Sequence, residues 1–263
     1  MFESHFQMST HPFPEHLPVD RLLKDDRMTQ GLARLSYLLH DGSLALITGQ
    51  TGIGKSSLVR LFLNSLSRNK YQPVYLHLTL VSATGFLKLL VSALGEVPKR
   101  GKERLFMQIL DKTKKADHTT VVVIDEAHLL EPSALTDLRL LVSSALEEHA
   151  RLKIVLCGQE TLRVQLRQAQ LADLQNRLCV RWHLQPYTRE QTLTYLDAQM
   201  RAAGSNDKVF EPEAKSRIHD YSSGILREIN NLATGCLIGA AAQKQLKIDA
   251  NNVDQAQNDS RLP

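Results

Sequence analysis

Cysteine is scarce in this 263-residue chain. Cys157, Cys179 and Cys236 stand far apart and show no metal-ligand spacing. Buried free thiols are therefore expected, not a disulfide framework or a structural zinc site. The ten histidines form no H-E-x-x-H or similar pair. No apolar run reaches the roughly 18–20 residues of a membrane span. The opening residues, Met1 to Phe6, lack a basic region followed by an apolar stretch, so no secretory leader is expected and a cytoplasmic location is. Internal repeats, low-complexity tracts, a helix-turn-helix and a zinc finger are also missing. Apolar residues at 43% and charged residues at 23% are ordinary for a globular chain that buries a core.

The most specific pattern present is G-x-x-x-x-G-K-S: Gly49, Gln50, Thr51, Gly52, Ile53, Gly54, Lys55 and Ser56. It directly follows the apolar run 43–48 and precedes the amphipathic stretch 57–63, which begins at Ser57. A glycine-rich turn between strand and helix lets backbone N–H groups and the helix dipole face an anion. Lys55 is suited to reach β- and γ-phosphates, and Ser56 to offer a hydroxyl to Mg²⁺. Residues 121–126 read Val-Val-Val-Ile-Asp-Glu, a buried strand ending in two acids. Asp125 at such a strand end is placed to hold Mg²⁺, and Glu126 to orient and deprotonate an attacking water. An acidic pair after a strand can also be a helix cap. The phosphate loop upstream favours the chemical role.

Hydrophobic periodicity organises the rest. Residues 1–26, interrupted by Pro12, Pro14 and Pro18, read as an irregular arm. Strands are expected at 44–48, 74–78, 121–124, 152–156 and 178–184. Helices are expected at 26–40, from the loop to about 69, and at 82–94, 103–115, 132–149 and 162–169. After Gln185-Pro186 only helical patterns remain, at 188–203, 211–221, 225–243 and 251–258. The expected domains are an arm (1–26), an α/β core (27–186) and a helical lid (187–263). Gln159, at the tip of the fourth strand, could polarise a water. Arg177 or Arg181 could serve as an arginine finger to a neighbouring subunit, and Arg227 could reach phosphates from the lid.

These elements together resemble AAA+ ATPases. More narrowly, they resemble the family that contains ExeA/GspA-type secretion ATPases and transposition helpers of the TnsC, TniB and MuB kind. The likeness rests on Phe6 with His11-Pro12-Phe13, on residues 49–56 and 121–128, on Ile154 through Leu162, and on 177–186 followed by Gly224-Ile225-Leu226-Arg227. Glu160 and Leu226 stand where that family often has proline. The resemblance implies a three-layer αβα core with a parallel sheet of order 5-1-4-3-2 and a C-terminal helical lid. It also implies ATP and Mg²⁺ as cofactors, and a homo-oligomer, ring or helical filament, with nucleotide bound between subunits.

Two functions compete within that resemblance. One is a transposition regulator that assembles on duplex DNA with ATP, recruits a transposase and resets on hydrolysis. The other is a secretion-associated ATPase. Net charge is only +4, but residues 99–115 hold seven bases and two acids and net +5, leaving −1 for the remainder. Lys99, Arg100, Lys102 and Arg104 are therefore candidate contacts to duplex DNA, through the backbone and without sequence preference. This basic run, with no membrane segment following, makes the transposition reading the expectation. A non-enzymatic scaffold is disfavoured because Lys55, Ser56, Asp125 and Glu126 are all present.

Overall fold

The computed structural model describes residues 2–79, 81–205 and 208–260. Five parallel strands form one sheet: β1 (Leu44–Thr48), β2 (Tyr71–His77), β3 (Thr119–Asp125), β4 (Leu152–Gly158) and β5 (Leu178–His183). Their spatial order is β2-β3-β4-β1-β5, which is the order 5-1-4-3-2 implied by the resemblance, read from the other edge. The central strands β1, β3 and β4 are buried almost throughout. Apolar runs such as Val121 to Ile124 have this pattern because helices cover both faces of a parallel sheet. The edge strand β2 alternates buried and exposed residues and tolerates Pro73, whose missing N–H costs little at an edge. Its start at Tyr71, three residues before the expected one, lies in polar sequence that carries no hydrophobic signal.

One face of the sheet, with Leu44, Leu46, Val122, Ile124, Ile154 and Leu156, packs on three helices: α4 (Ala83–Ala93), α5 (Lys102–Lys115) and α6 (Pro132–Glu147). On the other side α2 (Asp26–Asp41) and α3 (Lys55–Ser65) pack together, and α2 also meets β1 and β5. A short α1 (Phe2–His5) forms within the arm. The helix expected at 162–169 is α7 (Glu160–Leu166), which ends three residues earlier, and a 3-10 turn (Ala169–Leu171) and a short, unexpected α8 (Ala172–Asn176) follow it.

The chain divides into two compact units. The α/β unit comprises Val19–Thr51 and Lys55–Leu184. The helical unit comprises Met1–Pro18, Gly52–Gly54 and Gln185–Pro263. The arm is thus divided at Pro18, and its first part belongs to the helical unit. There Phe6, Met8 and Phe13 enter a core with Tyr187, Tyr195, Leu196, Ile229 and Leu237. That unit is built from α9 (Arg189–Ala202), α10 (Pro212–Ser222), α11 (Leu226–Ala242) and α12 (Ala250–Ser260). A full capping box opens α9: Thr188 accepts from the Gln191 backbone, and Gln191 accepts from the Thr188 backbone.

Candidate nucleotide-binding site

Within the α/β unit, the C-terminal ends of adjacent strands bring the candidate residues together. Register pairs Ile124 with Leu156 and Thr48 with Gly158. Asp125, Gln159 and the start of the phosphate loop therefore emerge from neighbouring strand tips. Lys55 opens α3 and is buried, and its Nζ donates to Gly49 O at 3.1 Å and Gln50 O at 2.9 Å. Among the described residues no carboxylate lies within ion-pair distance of this ammonium. A buried cation neutralised only by two carbonyls is a site that an anion would complete. Ser57 follows Ser56 in the first turn of α3.

Asp125 is almost fully buried. Its Oδ2 accepts from the Ser56 hydroxyl at 3.3 Å and the Tyr75 hydroxyl at 2.7 Å, and its Oδ1 accepts from Glu126 N–H at 2.9 Å. Beside it, burial pushes the Cys157 thiol well above its ordinary pKa, and the charge of Asp125 adds to that push. Cys157 is thus an inert packing thiol under the acid.

Glu126 adopts a left-handed backbone conformation, φ 55° and ψ 33°. For a residue with a side chain this costs about 1–2 kcal/mol. Such strain persists where surrounding structure enforces it, commonly at functional positions. Here Leu129 N–H donates to Glu126 O, closing a 3-10 turn. The Glu126 carboxylate comes within 3.3 Å of His128 Nδ1. That approach lacks hydrogen-bond geometry, since His128 Nδ1 has no hydrogen-bond partner. The carboxylate is therefore held near an imidazole without being locked to it, and it remains partly open to solvent.

Gln159 caps α7 from the tip of β4. Its neighbour Glu160 is tied down: His183 Nε2 lies 2.9 Å from Glu160 Oε1, and Thr48 Oγ1 lies 3.1 Å from His183 Nδ1. The chain Thr48–His183–Glu160 joins the end of β1, the end of β5 and the start of α7. Arg177 ends α8 and is partly buried. Arg181 is exposed on β5 and donates to Gln175 O at 2.7 Å. In the helical unit, Arg227 N–H donates to Gly52 O at 3.1 Å, and its guanidinium is exposed. Gly52 has φ +77°, and a Cβ there would lie 2.7 Å from Arg227 Cβ, so this turn of the loop requires glycine.

The basic run 99–115 is less free than its sequence suggests. Lys102 Nζ lies 2.7 Å from the buried Asp137 carboxylate, Lys112 pairs with Glu96, and Lys114 with Glu148. Lys99, Arg100, Arg104 and Lys115 remain exposed. In the helical unit a hollow of about 350 Å³ is lined by Glu213, Ser216, Arg217 and Asp220. Arg217 there pairs with Asp254, and Asp220 with Arg189.

Sequence reasoning missed Tyr75 and His183, and met His128 only as the end of the matched stretch 121–128, with no role assigned. Only strand register brings Tyr75 and His183 to the site, and His128 is met only because the Glu126 turn folds it back.

A family model described as an AAA domain matches residues 39–166. The chain carries an AAA domain of the AAA+ ATPase family. It is 31% identical over 265 residues to general secretion pathway protein A of Aeromonas hydrophila, covering 97% of this chain. The chain spans 48% of that relative's length, so where it stops decides nothing between the secretion and transposition readings. Among solved structures, Cdc6p of Pyrobaculum aerophilum superposes with a TM-score of 0.72 at 18% identity, covering 98% of this chain and 70% of Cdc6p. The Aeropyrum pernix ORC2 protein, solved as ADPNP–ADP complexes, gives 0.71 at 17% identity, with 95% and 71% covered. These likenesses establish the AAA+ fold. The family uses ATP and Mg²⁺, and the AAA domain's residues fit both: among the described residues Lys55 has no carboxylate partner, and the Ser56 hydroxyl and the Asp125 carboxylate are adjacent.

Proposed function

We propose that this AAA+ chain binds ATP with Mg²⁺, hydrolyses it, and uses the nucleotide state to control assembly in a secretion-type apparatus. The observation that carries the catalytic part is the meeting of Lys55, Ser56 and Asp125 at adjacent strand ends, with Lys55 buried and, among the described residues, facing carbonyls and no carboxylate. The 31% identity along nearly the whole chain supports the secretion-type output. Lys55, with loop residues 49–57, binds the phosphates, and Ser56 and Asp125 would hold Mg²⁺, which supplies charge neutralisation on the phosphate oxygens. Glu126 accepts the proton of the attacking water and directs it. Gln159 helps to orient that water, and the Thr48–His183–Glu160 chain fixes where Gln159 emerges. Arg227, whose N–H binds Gly52 of the phosphate loop within the same unit, contributes positive charge. Arg177 or Arg181 is supplied to a neighbouring subunit of a homo-oligomer.

A second reading, a DNA-dependent regulator that recruits a transposase, is favoured by the exposed Lys99, Arg100, Arg104 and Lys115. Lys102 is committed to Asp137 and drops out of that contact set. One experiment addresses both readings: nucleotide binding and phosphate release, with and without duplex DNA, for the wild type and two variants. Lys55→Ala should lose nucleotide binding. Glu126→Gln should bind ATP normally but release phosphate at least about 10²-fold more slowly. Unchanged binding by Lys55→Ala would sink the site assignment. DNA-stimulated turnover would replace the secretion-type output with the second reading.

A further inference from the structure

Tyr75 lies outside both motifs, yet it makes the shortest side-chain contact to Asp125. It comes from the edge strand β2, where its Cα pairs with that of Val123, two residues before Asp125. Its ring runs along the strand direction so that the hydroxyl reaches Asp125 Oδ2 at 2.7 Å. His77, whose Cα is opposite Asp125, makes no hydrogen bond to that carboxylate among the described residues. Tyr75 as a whole residue is 45% exposed. Burial of part of the ring, then the bond to Asp125, raises the phenol's pKa, so it stays a protonated donor at neutral pH.

The donors on Asp125 have different consequences. The Glu126 N–H holds Oδ1. On Oδ2, Ser56 at 3.3 Å is a long contact, and Ser56 is itself a residue that would hold the metal. Without the phenol, Oδ2 would lose its short donor and keep the long Ser56 contact, with the Cys157 thiol beside the carboxylate, and a carboxylate turns readily about its broad terminal torsion. A hydrogen bond to a charged acceptor is the strong kind, and second-shell partners of this sort commonly set metal affinity.

We propose that Tyr75 is a positioning residue for the metal-binding carboxylate. Its hydroxyl keeps Oδ2 of Asp125 turned towards Ser56, so that Mg²⁺ entering with ATP meets a carboxylate already in place. This rests on the reading of Lys55, Ser56 and Asp125 as an ATP–Mg²⁺ site.

The test is equilibrium binding of a fluorescent ATP analogue across a Mg²⁺ titration, including a chelator-treated sample, for the wild type and Tyr75→Phe. Phe keeps the ring, and a thermal melt checks the fold. The expected result is that the Mg²⁺ concentration giving half of the metal-dependent gain in affinity rises about 10-fold in Tyr75→Phe. Affinity in chelator should be unchanged. Adding Tyr75→Phe to Asp125→Asn should produce no further shift, because the phenol acts through that carboxylate. An unchanged Mg²⁺ midpoint, or equal loss with and without Mg²⁺, overturns the role of Tyr75 while leaving the site intact. Wild-type binding that ignores Mg²⁺ overturns the site, and this inference with it.

Discussion

Gly224 shows how much one position controls. It has φ +75°, and a Cβ there would lie 2.1 Å from Tyr187 O. Its carbonyl accepts from Tyr187 N–H at 2.9 Å, joining the start of the helical segment to the end of α10. Three residues later, Arg227 N–H binds Gly52 O. Gly224→Ala therefore meets both a forbidden backbone region and a backbone clash. We expect it to destabilise the helical unit by more than about 2 kcal/mol, measured by urea unfolding. Glu126 is the opposite case at the same scale: a non-glycine residue held left-handed, where the strain accompanies a chemical group instead of a close contact.

At the scale of elements, α9 and α10 are joined by polar side chains as well as by the core. Thr192 Oγ1 lies 2.9 Å from His219 Nδ1, and Arg189 pairs with Asp220. Burial, then the nearby Arg189 cation, lower the pKa of His219 from its ordinary 6.5, outweighing the opposing pull of Asp220. The folded state thus prefers neutral His219 while the unfolded chain takes up the proton more readily. The stability involved is complete above the ordinary value and is lost as pH falls through it towards the lowered one. The expected outcome is a melting temperature that drops as pH falls below about 6.5. His219→Asn should show a shallower drop, and an identical pH profile would remove the residue from the account.

At the scale of the whole molecule, charge placement decides what the surface can bind. The run 99–115 nets +5 by composition. Three of its lysines face acids outside the run, Asp137, Glu96 and Glu148, which leaves a net of about +2 presented by exposed residues. Exposed pairs such as Lys112–Glu96 are weak and exchange easily, whereas Lys102–Asp137 is anchored by a buried acid. If duplex DNA is a partner, replacing Lys99, Arg100 and Arg104 with Ala should weaken binding at low salt and flatten its salt dependence. Changing Lys102 should chiefly lower thermal stability. Fluorescence anisotropy at several salt concentrations, paired with melts, separates these outcomes.

The sequence by itself determined what is contiguous in the chain. The glycine loop with Lys55 and Ser56, the buried run ending in Asp125-Glu126, and the shift to helices after residue 185 each occupy a single stretch. Local pattern and local chemistry coincide there, and strand order followed from family resemblance. Only the tertiary structure decided what depends on register and on partners far along the chain. It brought Tyr75 to Asp125 across two strands, His183 between Thr48 and Glu160, and Asp137 to Lys102. A side chain's partner is set by which strand or helix lies beside its own, and no residue's immediate neighbours encode that.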